Sequence, residues 1–296
     1  MTLFCHISHF GSLFPICKQM MKLALMLCSI RLVLASLNAS KIVKFYAMSD
    51  GPLGIKERSR FVDQLRGLDT RSDFVVHLGD MHERQKECDH DQLQFVADTM
   101  RMNLLQPTFV LPGDNDFYEC DNQAPTWEKW TSLFVGFEDH WTRSFIVARQ
   151  ADRPENFVFV LKNILFIGVH IINASVQDWE SWNKVVHDDA VWLEASILAH
   201  LDEVESIVIM SHAFPHTRRY REFYDTFVRL ASSSSDKFFL YLQGDEKKFV
   251  VDHIFPSQNV FRVVLDQTGM MDPTEITIDP TNVATPFKIK RRPLLP

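Results

Sequence analysis

The segment Phe109-Val110-Leu111-Pro112-Gly113-Asp114-Asn115-Asp116 runs from a short β-rich stretch through a Pro-Gly turn into three residues with side-chain oxygens. The same grammar recurs along the chain. Phe45-Tyr46-Ala47-Met48-Ser49 leads into Asp50, and Phe74-Val75-Val76-His77-Leu78-Gly79 into Asp80. Val208-Ile209-Met210-Ser211 leads into His212, and Leu240-Tyr241-Leu242-Gln243-Gly244 into Asp245. A polar turn after a strand is common, and any one Gly-Asp is ordinarily a turn or a helix cap. Five in succession are another matter. The carboxyl ends of strands in an α/β sheet form one rim, where ligands bind. Asp50, Asp80, Asp114, His212 and Asp245 are therefore expected at one spot, where four carboxylates would repel one another without a counter-charge. A divalent cation is the expected resolution. Carboxylate oxygens with one imidazole suit Mn, Fe, Zn, Mg or Ca, one or two ions per chain.

Outward from these strand ends, further β-rich runs are expected at Phe157–Leu161, Ile164–Ile172, Val260–Leu265 and Thr274–Ile278. Between the early strands, Ile55, Phe61, Val62 and Leu65 form one helical stripe, and Leu93, Phe95, Val96 and Met100 another. A third helix is expected over Asp188–Leu201, with Asp188-Asp189 at its N-terminus, and a loop over Ala231–Asp236. Strand-helix-strand in front and strand-dense sequence behind predict an α/β (α+β) fold, a β-sandwich flanked by helices. The 24 phenylalanines supply a large aromatic core.

Composition narrows the function. The chain of 296 residues carries 31 basic and 38 acidic residues, and only Lys18, Lys22 and Arg31 precede residue 37 among the charged ones. An acidic body argues against nucleic-acid binding, which needs Lys and Arg to neutralise phosphates. The Gly-x-Ser-x-Gly, P-loop and dinucleotide fingerprints are missing, which leaves serine hydrolase, nucleotide-triphosphatase and Rossmann readings unsupported. Met21–Ser36, with a basic start, a short apolar stretch and Val33-x-Ala35, has the form of a secretory signal, so 1–36 is expected to be removed. Residues 1–19 have the form of an upstream extension. The remainder, 37–296, is expected as one domain with no membrane attachment, the alternative being a signal anchor. Asn38-Ala-Ser40 and Asn173-Ala-Ser175 are glycosylation triplets. Beyond the signal the chain keeps Cys88 and Cys120, an even pair that suggests one disulfide in an exported protein, against two buried thiols.

Taken together, Asp50, Gly79-Asp80, Gly113-Asp114-Asn115-Asp116, Ser211-His212 and Gly244-Asp245-x-Lys247 resemble the motifs of the calcineurin-like metallophosphoesterases, over about Lys41 to Val250. Pro112–Cys120 is similar to a secreted-type branch. The resemblance implies a four-layer fold with two sheets between helices, and a two-metal site that hydrolyses phosphate esters. It also shows departures. Pro52 stands where a metal-binding His is usual, Asp114 where Asn is, and Asn115 where the His that protonates the leaving group is. Asp245 and Lys247 replace the two His of the last motif. Carried across, one metal keeps Asp80, Asp114, His212 and Asp245, while the other loses two of its four donors, at Pro52 and Lys247. The resulting expectation is a secreted metal-dependent phosphoesterase acting on a phosphorylated small molecule. In it Lys247 would offset Asp50 and Asp80, Asn115 would orient a phosphate oxygen, and Asp116, His82 or His216 would supply the proton. The rival is a catalytically impaired binding or structural module.

Overall fold

The computed structural model describes residues 41–215, 218–284 and 286–292. The expected signal over 1–36, the Asn38 triplet and His216 lie outside the described residues. From Lys41 onward the chain forms one compact unit. Its centre is built by phenylalanine. Phe45, Phe74 and Phe109 from one sheet meet Phe159 and Phe166 from another, with Phe45 stacked on Phe74 at 4.5 Å and Phe109 on Phe159 at 4.6 Å. Offset and edge-on ring pairs of this kind add to the ordinary gain from burying apolar area.

The first sheet contains β1 (Val43–Met48), β2 (Phe74–His77) and β3 (Thr108–Val110), all parallel, then β11 (Asp272–Ile278) antiparallel to β1 and β12 (Phe287–Arg292) at the edge. The second has the order β4 (Val147–Arg149), β5 (Phe157–Leu161), β6 (Ile164–Gly168), β7 (Ser206–Met210), β8 (Phe238–Gln243), β10 (Val260–Val264) and β9 (Val250–Asp252), parallel from β6 through β10. Helices α1 (Ile55–Arg66), α2 (His90–Asn103) and α3 (Gln123–Phe134) cover the outer face of the first sheet, burying Phe61, Leu93 and Trp130 against Tyr46 and Val75. Helices α4 (Trp179–His200) and α5 (Arg221–Ser233) cover the second, burying Leu193, Ile197 and Phe227 against Ile207, Ile209 and Phe239. The result is the four layers expected. No helix among the described residues is long and apolar enough to cross a membrane.

Three local expectations are corrected. Helix α4 starts at Trp179 rather than Asp188, because Asp178 caps it by accepting from the Glu180 and Ser181 N–H groups. Asp188 and Asp189 sit inside the helix, where Asp188 pairs with Lys184 and Arg153 and buried Asp189 accepts from Asn156. Residues 231–233 finish α5 rather than form a loop. Strand β6 ends at Gly168, where a Cβ would lie 2.4 Å from the Phe157 ring, and the chain then leaves the sheet. His77 behaves as a core histidine, its Nε2–H donating to the Gly51 carbonyl and its Nδ1 accepting from Gly79 N–H.

Candidate metal centre

The strand ladders continue past the last strand residues and carry the polar turns with them. Leu78 N–H donates to Met48 O, Leu111 N–H to His77 O, Ser211 N–H to Leu242 O and Gly244 N–H to His212 O. The two sheets thus deliver five side chains to one edge. The hydrogen bond from His212 Nδ1 to Leu78 O at 2.7 Å ties the β7 turn to the β2 turn. Asp245 N–H, donating to Asp50 Oδ2 at 3.0 Å, ties the β8 turn to the β1 turn.

Asp50, Asp80 and Asp245 all have positive φ, at 57°, 59° and 68°. A left-handed residue reverses the chain in one step, and aspartate tolerates that conformation better than most side chains. The turns pack without slack. A Cβ on Gly113 would fall 2.2 Å from Asp80 Oδ1, and one on Gly244 2.8 Å from Asp50 Oδ2.

Imidazole His212 is the hub. Its Nε2 lies 3.1 Å from Asp114 Oδ1, 3.4 Å from Asp80 Oδ1 and 4.0 Å from Asp245 Oδ1. Asp50, Asp80 and His212 form one possible ligand group, and Asp114, His212 and Asp245 a second. Burial alone would lower the His212 pKa, but the surrounding carboxylates of Asp80, Asp114 and Asp50 raise it well above the usual value. Burial likewise raises Asp80 well above the carboxylate range, and raises Asp245. For Asp114, burial is outweighed by His212, and its pKa falls.

The donor set fits a divalent cation on a structural ground. Asp50 Oδ1 is buried with no hydrogen-bond partner, and buried Asp114 Oδ1 and His212 Nε2, 3.1 Å apart, have only each other. With Nδ1–H held by Leu78, the free nitrogen of His212 faces carboxylate oxygens. A lone pair there needs a proton or a metal ion between them. Because both ligand groups draw on that one nitrogen, only one ion can have the imidazole.

The expected catalytic residues fare differently. Asn115 does reach the site, but its Nδ2–H donates to Asp80 Oδ2 at 2.7 Å and its N–H to Asp80 Oδ1 at 3.1 Å, so it holds Asp80. Asp116, expected as a proton donor, is engaged with the backbone of the loops. Its carboxylate accepts from the N–H groups of Gly113, Asp80 and Met81 at 2.8, 3.0 and 2.7 Å. Lys247, expected to offset Asp50 and Asp80, is exposed. It lies on the exposed Glu246–Lys248 turn beyond Asp245, and among the described residues it makes no ion pair with Asp50 or Asp80. Pro52 is buried, and its carbonyl accepts from Gln92 Nε2.

Sequence reasoning missed Asn173. Its Nδ2–H donates to Asp245 Oδ2 at 3.0 Å, and Arg219 Nη1 bonds its Oδ1 at 3.1 Å. The side-chain amide expected as a sugar acceptor is thus engaged with a candidate ligand. Asn173 follows the end of β6 on the same rim, so the strand-end argument could have found it. Cys88 and Cys120 are disulfide-bonded, and both sulfurs lie against the Asn115 carbonyl, at 3.2 and 3.8 Å, behind the Asp114–Asp116 turn.

The calcineurin-like phosphoesterase model matches residues 44–258, which spans every one of these turns. The chain belongs to the calcineurin-like phosphoesterase family. No curated protein matches the sequence. Solved structures share the fold at low identity. GAP50, the anchor in the inner membrane complex of Plasmodium, is 10% identical with a TM-score of 0.51, over 86% of this chain and 90% of that one. PhoD is 12% identical with a TM-score of 0.53, over 85% and 68%. The 5'-nucleotidase from Candida albicans SC5314 is 16% identical over 83% of this chain but only 50% of its own, with a TM-score of 0.48.

Proposed function

We propose that this member of the family is a metal-dependent phosphoesterase that binds one divalent ion through Asp80, Asp114, His212 and Asp245. The observation that carries it is the buried His212 Nε2, fixed by Leu78 and facing three carboxylate oxygens at 3.1 to 4.0 Å. When bound, the ion would lower the pKa of a water and polarise the phosphoryl oxygen. The chain's own residues do the positioning. Asn115 aligns Asp80, Asn173 aligns Asp245, and Asp116 braces the turn that carries Asp114. Asp50, with Oδ1 unpartnered, flanks the same position. A phosphorylated small molecule is the substrate class. With Asn115 tied to Asp80, the reaction favours esters whose leaving group departs without a strong acid. Export through the 1–36 segment, with a signal-anchored form as the alternative, completes the reading, and a Cys88–Cys120 disulfide is at home in an oxidising compartment.

A second reading has its own support. Pro52 and the exposed Lys247 leave the Asp50 side short of donors, and among the fold neighbours GAP50 is named as an anchor. On that reading the chain is a binding module that keeps the fold without turnover. The test is hydrolysis of an aryl phosphomonoester and an aryl phosphodiester by purified protein with added Mn. The expected result is turnover that chelation removes and His212→Ala lacks. Metal binding without turnover would favour the module.

A further inference from the structure

A cavity of about 270 Å³ lies beside this centre, and none of the candidate ligands lines it. Its walls include five aromatic rings, those of Phe117, Tyr118, Trp127, Trp182 and Tyr220. The volume is of the order of twice the ~150 Å³ of a cavity that takes up benzene, and below the range for whole drug-sized ligands. It therefore suits one compact group.

The ring geometry narrows the group. Phe117 and Tyr118 stand at 84° to each other, Tyr118 and Trp182 at 76°, Trp182 and Tyr220 at 56°, and Phe117 and Trp127 at 44°. Trp127 and His170 are near parallel at 21°, but they stack on each other at 5.4 Å and leave no slot between them, so the inclined walls enclose a box rather than the two parallel faces a flat heterocycle needs. The polar ends of three rings are already engaged with the backbone. Trp182 Nε1–H donates to Arg219 O, Tyr220 Oη–H donates to Ile172 O, and Tyr118 Oη accepts from Gln177 N–H. The rings thus offer carbon surface and few handles for a hydroxylated ligand. Two carboxylates, Asp152 and Glu155, complete the lining against one guanidinium, Arg153. Arg153 is shared between Asp188 at 3.0 Å and Glu155 at 3.8 Å, and Glu155 also contacts His170 Nδ1 at 3.1 Å, which leaves Asp152 as the carboxylate without a cation in the lining among the described residues. Aromatic walls with an excess of acid are the chemistry that recognises a quaternary or highly alkylated ammonium.

We infer that this cavity is an alkylammonium-binding site. Its wall is continuous with the metal centre. Tyr118 N–H donates to Asp114 O at 2.9 Å, and Arg219, next to Tyr220, bonds Asn173. Joined to the proposed phosphoesterase activity, on which this one step rests, the pair would accept a phosphoester of an amino alcohol.

The test on the cavity needs no turnover. Choline is titrated calorimetrically into the full-length protein, alongside its neutral isostere in which a tert-butyl group replaces trimethylammonium, and alongside benzyl alcohol. Choline should bind about tenfold or more tightly than the isostere, since the charge over the rings is the difference. Trp127→Phe should weaken choline severalfold, and Glu155→Gln more than it weakens the isostere. Equal binding of choline and isostere, tighter binding of benzyl alcohol, or no choline binding by the folded wild type would each overturn the inference. Choline binding by a protein that hydrolyses no phosphoester would leave the cavity standing and sink only the activity.

Discussion

The two sides of the metal centre are built from the same motif and end differently. Around His212, the carboxylates of Asp80, Asp114 and Asp245 are held within 4.0 Å of one nitrogen by loops that bond to one another. Around Asp50, the neighbouring positions are a buried proline and a lysine turned to solvent. What decides whether a motif residue can act is where its turn carries it. Asp245 has its N–H on Asp50 Oδ2 and its carboxylate at the hub, whereas two residues later Lys247 is already on the outer turn. Asp116 makes the same point from inside, since a carboxylate next to the ligands is consumed by three backbone N–H groups.

The sharpest way to break this contrast is His212→Ala. Loss of the one imidazole donor among the described residues of the site should lower Mn or Zn affinity by at least about a hundredfold, measured by calorimetry on metal-stripped protein. Retained affinity would mean that the Asp50 side, not the His212 side, holds the ion.

Replacing both cysteines by serine comes next. The bridge spans a sequence separation of 32 residues, for which chain entropy gives about 3–4 kcal/mol of stability. Because both sulfurs rest against Asn115 O, metal affinity should fall along with the unfolding midpoint. Unchanged affinity at lowered stability would show that the Asp114 turn is braced from elsewhere.

Removing the metal exposes the proton balance of the hub. Asp80 and Asp245 have raised folded pKa values through burial, and His212 has one raised by the carboxylates around it. In all three the folded state holds protons more tightly than the unfolded chain. Their contribution to stability is present at low pH and lost as pH rises, from about 4 for the carboxyls and from about 6.5 for the imidazole. Metal-free protein should therefore lose stability above neutrality, and added metal, which displaces those protons, should flatten the curve and bind more tightly as pH rises. Chemical unfolding at several pH values, with and without chelator, reads this directly. A metal-free curve that climbs through neutrality would contradict the proton-held hub.

Asp116→Asn separates bracing from proton donation. Losing part of an acceptor for three buried N–H groups should cost about 1–3 kcal/mol and weaken metal binding. A variant with full stability and metal affinity but reduced turnover would restore the proton donor. The smallest effect belongs to Lys247→Ala, which should leave metal affinity within about a factor of three, because an exposed charge with no close carboxylate contributes little.

Much of this was legible in the residues. The five strand ends did converge, because a parallel strand must deliver its last residue to the sheet's carboxyl edge, and the phenylalanines did fill the space between two sheets. The legible part stopped where tertiary partners took over. Asp188 and Asp189 looked like a helix start until Arg153 and Asn156 supplied partners inside α4. Nothing in the Asn173 triplet announces its bond to Asp245, 3.0 Å away and 72 residues along the chain. The direction of Lys247 depends on a left-handed residue in its own turn, φ 51°, which no pattern of residue types announces.

The central claim is that one ion is held on the His212 side. Metal content of the purified protein, determined by plasma mass spectrometry beside His212→Ala and Lys247→Ala, tests it most directly. The account predicts about one divalent ion in the wild type and in Lys247→Ala, and none in His212→Ala. Two ions in the wild type, or one retained without His212, would contradict it.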